Sequence, residues 1–374
     1  MKLSTIFASA FAIALAASQA SADIKIGMTL PLTGYAASYG EDAKRGAELA
    51  IDQANAAGGA KGEKFQLLVE DDAGAGKTGV AATQKLVSID KVPVIIGGMM
   101  SSVALPASPL ARSSKVVYLS TMSSHPELTS PGGFIYRLAG SDAVIGVAEA
   151  QFMIEVLKSK TAVGLFATTD YGTINSKLVR EAYEKAGGKW LAADQFKQGA
   201  TDFRTQLVKL KEQNADTLFI VATHKEAAQL FRQMVELNWR PHVMGTSFLD
   251  DPSIFDLAGD AANGVYFATS AAPSTPESKK ARADFEAAFK TKYGKDPGIT
   301  ARYFFDATRL AIDAIKAVGT DSAAIDKWIG AVKNYPGVTS PVSFTAIGDA
   351  IIPATIKKIE NKKFVETGFT RNPN

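Results

Sequence analysis

The chain has no cysteine and only three histidines among its 374 residues. Without cysteine there are no disulfides, no thiolate metal sites and no cysteine nucleophile. His125, His224 and His242 lie far apart, and none stands in an H-E-x-x-H or comparable metal spacing. No G-x-S-x-G segment offers a nucleophile elbow. The formal net charge is only +3, which gives no reason to expect a nucleic-acid or membrane-surface partner. Beyond the first 22 residues no stretch approaches the roughly 18 apolar residues that a spanning helix requires. The expectation is a binding protein rather than an enzyme, with no cofactor and no metal.

What is present begins with an export signal. Lys2 supplies a positive start, Leu3 to Ala17 is mostly apolar, and Ala20-Ser21-Ala22 is an A-x-A site. Residues 1–22 therefore read as a signal peptide cleaved before Asp23. The lack of cysteine after the apolar run excludes a lipoprotein anchor there. An exported, cysteine-free chain fits the bacterial periplasm. About 350 residues remain, enough for two domains that each bury a core.

Those residues alternate short apolar runs with helical patterns. Strands are expected at Ile24 to Leu30, Phe65 to Asp71, Val92 to Ile96 and Val116 to Ser120. Helices are expected at Glu41 to Ala57, Val80 to Ile89 and Ser101 to Ser113, with Pro31 to Gly40 as a loop. The alternation then restarts with a helix at Asp142 to Leu157 and a strand at Thr161 to Ala167. It continues through helices at Lys177 to Ala186, Phe203 to Gln213 and Lys225 to Leu237. The strands between and after them are Trp190 to Phe196, Thr217 to Ala222, Val243 to Gly245 and Val265 to Ala268. Such βαβα order implies parallel sheets covered on both faces. Two successive open α/β units suggest two lobes with a cleft between them. Long helical patterns follow at Glu277 to Tyr293, Thr300 to Val318 and Ser322 to Val332. The end, Val342 to Phe344 and Ile351 to Glu360, is strand-like.

Within the first unit, Ile95 to Thr129 stands out. Two strand ends in succession present small hydroxyl residues: Ser101 and Ser102, then Ser120, Thr121, Ser123 and Ser124. Ligands bind outside the carboxyl ends of strands in open parallel sheets, and the first N–H groups of a helix favour an anion. A carboxylate site is expected there. Aromatics follow three other strand ends: Tyr39, Tyr171 and Phe248. Each alone is a packing residue as readily as a ligand wall, but three around one cleft suit a ligand with an apolar body. His224 also lies just past a strand end. The AGAGKTG segment (Ala73 to Gly79) is no phosphate loop, because Asp71 stands where the motif requires glycine. Asp71-Asp72 reads as a turn or cap rather than a catalytic pair.

The stretches PLTGYAASYGEDAKRGAELAIDQANAAGG, VEDDAG, IIGGMMSS, HPELT, DYG, TDFRTQL and LAGDAANGVYF run through almost the whole mature chain. On them the chain resembles the leucine/isoleucine/valine-binding family of periplasmic solute receptors, which serve ABC importers. The resemblance implies two Rossmann-like lobes of the type I periplasmic binding protein fold, joined by three crossovers. It divides the chain into residues 23–141 plus 271–350 and residues 142–270 plus 351–374. It also implies a membrane permease as partner and a monomeric receptor. By position it puts the carboxylate on Ser101 and Ser124, with backbone groups of Met122 and Ser123 beside them. Met99 and Tyr39 match apolar wall positions, and Tyr171 matches the aromatic covering the ligand from the second lobe.

One departure bears on the ligand. Amino-acid-binding members place an acid shortly after the strand near Gly245, opposite the α-ammonium; the matching residue here is Ser247. Thr223 stands where such members place an aromatic. The leading expectation is therefore a small carboxylate without an α-ammonium, an aromatic monocarboxylic acid. Ser247, Thr223 and His224 would hydrogen-bond a ring hydroxyl or second oxygen, Phe248 would stand beside the apolar body, and Arg302 would reach in from a late helix. The alternative is a branched-chain or other apolar amino acid, with Asp250 or Asp251 replacing the missing acid. A periplasmic sensor and a secreted hydrolase are minor alternatives.

Overall fold

Strands buried on both faces read as continuous apolar runs. That is what β1 (Ile24–Leu30), β3 (Val94–Gly97) and β4 (Val117–Ser120) are, with hardly an exposed residue among them. The computed structural model describes residues 23–373, so the expected signal peptide, 1–22, lies outside it. Between those strands come α1 (Ala37–Ala56), β2 (Phe65–Asp71), α2 (Gly76–Ser88) and α3 (Ser101–Ser113), and β5 (Ile135–Arg137) follows. The five strands form one parallel sheet in the order β2-β1-β3-β4-β5.

The chain next builds α4 (Asp142–Glu155), β6 (Thr161–Ala167), α5 (Asp170–Lys185), β7 (Lys189–Phe196), α6 (Arg204–Lys211) and β8 (Thr217–Val221). It continues with α7 (His224–Glu236), β9 (His242–Gly245), α8 (Ser253–Ala258) and β10 (Tyr266–Ser270). Helices α9 (Pro276–Tyr293), α10 (Ile299–Val318) and α11 (Ser322–Gly330) then contribute Phe285, Phe289, Phe304, Leu310 and Ile325 to the core of the first sheet. Finally β11 (Ala354–Glu360) and β12 (Lys363–Arg371) join the second sheet, whose order is β12-β11-β10-β9-β8-β6-β7. Only the β10/β11 and β11/β12 pairs are antiparallel. Asn361 and Lys362 turn the last hairpin with positive φ, as a two-residue turn there requires.

Two differences from the sequence reading matter for the cleft. Helix α1 begins at Ala37, so Tyr39 is helical rather than part of a loop. No side chain caps that start, and Gly40 masks the pattern. The glycine is required because a Cβ there would lie 1.8 Å from the Pro31 carbonyl oxygen. Helix α5 likewise begins at Asp170 rather than Lys177, its first turn capped by Thr169, whose hydroxyl accepts from the Gly172 N–H at 3.0 Å. Tyr171 thus sits in a fixed first turn. Elsewhere, Val342 to Phe344 forms only isolated bridges rather than a strand. Strands β5 and β12 and helix α8 were not legible in the sequence.

Candidate functional site

The turn between β3 and α3 is held against the loop after β4. Thr121 Oγ1 donates to the Gly97 carbonyl at 3.1 Å, and Ser120 Oγ to the Gly98 carbonyl at 3.2 Å. The Ser123 N–H donates to the Gly98 carbonyl at 3.0 Å. Two hydroxyl-bearing loops are thereby locked side by side at the carboxyl edge of the sheet. Ser123 Oγ donates to Ser101 Oγ at 3.0 Å, and both residues are buried. No side chain caps α3; the Val103 N–H donates to the Met100 carbonyl at 3.0 Å, which leaves the N–H groups of Ser101 and Ser102 without intrahelical partners.

These loops form one wall of a narrow cavity. From the first sheet's layers come Tyr35, Met100, Ser101 and Ser102. The second contributes Thr169, Tyr171 and Phe248, the strand end Val221-Ala222, and Gln198, Thr223 and Glu226. Tyr171 and Phe248 meet edge to face, their ring centres 5.4 Å apart. The Tyr171 hydroxyl lies beside Thr246 and Ser247, and burial pushes its pKa well up, so it is neutral.

Of the residues expected from sequence, Ser101, Tyr171, Thr223 and Phe248 line this cavity; the others are placed differently. Ser124 pairs with Asp142 instead of Ser101: its carbonyl accepts from the Asp142 N–H at 2.9 Å, and its hydroxyl meets the Asp142 carboxyl. Met99 and Met122 belong to the first sheet's core, and Met100 takes the wall position expected of Met99. Adjacent residues leaving a strand point to opposite sides, which accounts for the one-residue shift. Ser247 lies behind Tyr171. Tyr39 is buried beside the cavity, where its hydroxyl donates to the Phe248 carbonyl at 3.2 Å. His224 turns towards a separate groove with Asp42, Asp251 and Lys295. Burial lowers its pKa below the ordinary value, leaving it neutral at pH 7.

Arg302 does not reach the cavity. It is buried under the turn before α10, where Nη2 donates to the Pro297 carbonyl at 3.3 Å. The two acids offered as replacements at the ammonium position are also engaged. Asp250 takes Lys357 Nζ at 3.2 Å and Thr269 Oγ1 at 3.0 Å. Asp251, just ahead of α8, accepts from the Ser253 N–H at 2.9 Å and its hydroxyl at 2.6 Å.

Asp142 is the acid that stands nearest the hydroxyl loops. Burial pushes its pKa up to about 6, against the pull of Ser124, Asn175 and Arg137. Its Oδ2 has no hydrogen-bond partner.

Sequence reasoning missed Tyr35, Met100, Thr169, Gln198 and Glu226; Ser102, named with Ser101, lines the cavity. Glu226 did carry a signal, because Thr223 to Glu226 is a T-x-x-E capping box. Both halves of that box are formed.

The family model described as "Periplasmic binding protein" matches residues 23–361. The chain belongs to the periplasmic binding protein family. It is 30% identical over 362 residues to Leu/Ile/Val-binding protein homolog 3 of Brucella melitensis, covering 95% of this chain and 96% of the relative. Among solved structures it resembles LivJ of Streptococcus pneumoniae, a branched-chain amino acid transporter substrate-binding protein in complex with isoleucine. That likeness has a TM-score of 0.86 at 26% identity and covers 94% of this chain and all of the other. A solute-binding protein of an ABC transporter from R. palustris, in complex with benzoate, shares the fold with a TM-score of 0.83 at 21% identity. It covers 92% of this chain and 96% of the other. This family member is thus a periplasmic solute-binding protein of an ABC transporter, with a type I fold and a small molecule as its cargo.

Proposed function

We propose that the protein captures a small aromatic monocarboxylic acid in the cavity between its two sheets and delivers it to an ABC permease. The carboxylate lies at the start of α3, on Ser101 and the first-turn N–H groups. Hydroxyl and N–H donors suit it there, adding no full charge. The ring lies against Tyr171 and Phe248, which pack on each other. The units 23–141 plus 271–350 and 142–270 plus 351–374 act as lobes that close on the ligand, and binding shifts the open/closed population. The observation that carries this reading is the engagement of Asp250 and Asp251 within the protein. The Lys357 ammonium already neutralises Asp250, although Asp250 Oδ1 has no hydrogen-bond partner, and Asp251 is held by Ser253, so neither charge stands free for an α-ammonium, and a buried ammonium without a carboxylate is poorly compensated.

A branched-chain amino acid is the second reading, favoured by the unpartnered Oδ2 of Asp142 beside Ser124 and by the kinship with Leu/Ile/Val-binding proteins. Thermal denaturation with a ligand panel separates the two. A ligand at 100 times its dissociation constant stabilises by about 2.7 kcal/mol. Benzoate and hydroxybenzoates are expected to raise the melting temperature, and leucine to leave it unchanged. A shift by leucine alone gives the second reading.

A further inference from the structure

The end of the cavity away from Ser101 has a chemistry of its own. Glu226 is buried there at 4% exposure, and its carboxylate is surrounded by donors. Oε2 accepts from the Thr223 N–H at 2.8 Å and from Thr223 Oγ1 at 2.9 Å, while Oε1 accepts from the Gly199 N–H at 2.7 Å. An ionised carboxylate has about four lone-pair sites, two on each oxygen. Three donors leave one site open, on Oε1. The Tyr35 side chain, within electrostatic reach of Glu226, runs from beside Gly199 towards Gly74, and its hydroxyl is paired with the Gln198 side chain. Tyr35, Gln198, Thr223 and Glu226 all line the cavity. Three of them, Tyr35, Thr223 and Glu226, also line the groove that continues it outward.

The geometry points to a hydrogen-bond-donor subsite at this end, made by Glu226 with Tyr35 and Gln198, that takes a hydroxyl on the ligand ring remote from its carboxylate. This rests on the aromatic-acid reading and narrows it to the para-hydroxybenzoate class. A hydroxyl there supplies the fourth donor to Glu226. An ether or halogen of similar size presents only lone pairs to a carboxylate and meets repulsion. The apolar stretch between the two ends, Met100, Ala167, Val221 and Ala222, offers the ring faces no competing partners. The cavity thus discriminates by polarity at both ends: donors facing the carboxylate, an acceptor facing the hydroxyl.

Calorimetric titration of the full mature protein, stripped of ligand by unfolding and refolding, tests this with benzoate, 4-hydroxybenzoate, 4-fluorobenzoate and 4-methoxybenzoate. 4-Hydroxybenzoate is expected to bind at least tenfold tighter than benzoate. The fluoro and methoxy acids are expected to bind no better than benzoate. In Glu226→Gln the advantage of 4-hydroxybenzoate over benzoate is expected to fall below threefold. Because Glu226 also closes the cap of α7, the wild-type comparison of hydroxyl with fluorine stands as a measure that needs no variant. Equal binding of benzoate and 4-hydroxybenzoate overturns the subsite alone. Failure of all four acids to bind overturns the aromatic-acid reading and the subsite with it.

Discussion

The hydroxyl of Tyr39 accepts a hydrogen bond from the backbone N–H of His224 at 2.9 Å. Tyr39 lies on α1, against the first sheet, and His224 opens α7, against the second. The same hydroxyl donates to the Phe248 carbonyl, and the Tyr39 ring packs edge-on against His224 at 4.6 Å. One side chain therefore joins the two sheet units at the base of the cleft. Tyr39→Phe keeps the ring and removes both hydrogen bonds, each contributing roughly 1 kcal/mol. Ligand affinity is expected to fall about five- to thirtyfold, and by the same factor for every ligand, since the loss lies in closure. Calorimetry over several ligands checks this; losses that reorder the ligands would instead place Tyr39 in the wall of the site.

Ser101 and Ser124 are expected to part company on mutation. Ser101 lines the cavity, so Ser101→Ala should weaken ligand binding by roughly 1–3 kcal/mol; it also takes the acceptor from the buried Ser123 hydroxyl, so the ligand-free melting temperature should fall modestly. Ser124 meets Asp142, and Ser124→Ala removes a donor from a buried carboxyl. That variant should melt lower without ligand. Its affinity, once the stability loss is accounted for, should change less than that of Ser101→Ala.

Asp142 also gives a pH signature. Burial raises its folded pKa from the ordinary 3.8 to about 6. Its contribution to stability is therefore fully present below about pH 4 and is lost as pH rises through about 6. The difference corresponds to a magnitude on the order of 1–3 kcal/mol. Asp142→Asn removes this titration. Relative to wild type, the variant is expected to gain stability on going from pH 4 to pH 7, by that order. Urea denaturation at the two pH values measures it, and parallel pH profiles would refute the assignment.

The sheets, their parallel order and the hydroxyl-lined strand ends were legible because each rests on local pattern: apolar runs, short turns, small residues at helix starts. The side chains that complete the cavity were not. Gln198 sits in a loop after β7 and meets Tyr35 from the other sheet unit only through the fold. Met100 rather than Met99 faces the cavity because of the direction in which the chain leaves β3, which a list of residues does not carry. Arg302 was misplaced because a cation in a helix aimed at a cleft looks functional until the Pro297 carbonyl is seen to hold it. Glu226 was readable as a cap, and its second role emerges only when its donors are counted.

The ion pair between Asp250, in the loop after β9, and Lys357 on β11 gives the last test. Both residues are buried, Asp250 at 2% and Lys357 at 8% exposure. Burial pushes the Asp250 carboxyl up, but the charges of Lys357 and Arg302 and the Thr269 hydroxyl outweigh it and hold the carboxyl below its ordinary value. Asp250→Ala leaves the Lys357 ammonium buried without its partner, and such single removals destabilise by roughly 3–5 kcal/mol. Replacing both partners with apolar residues, Asp250→Leu with Lys357→Met, removes the stranded charge and is expected to recover most of that loss. The four corners of this double-mutant cycle, measured by urea denaturation, give the coupling directly. The pair also bears on the ligand: if Asp250 were the missing ammonium-binding acid, Asp250→Asn would abolish leucine binding and leave aromatic acids untouched. An acid committed to Lys357 instead predicts that Asp250→Asn lowers stability and changes the relative affinities of the two ligand classes by less than about threefold.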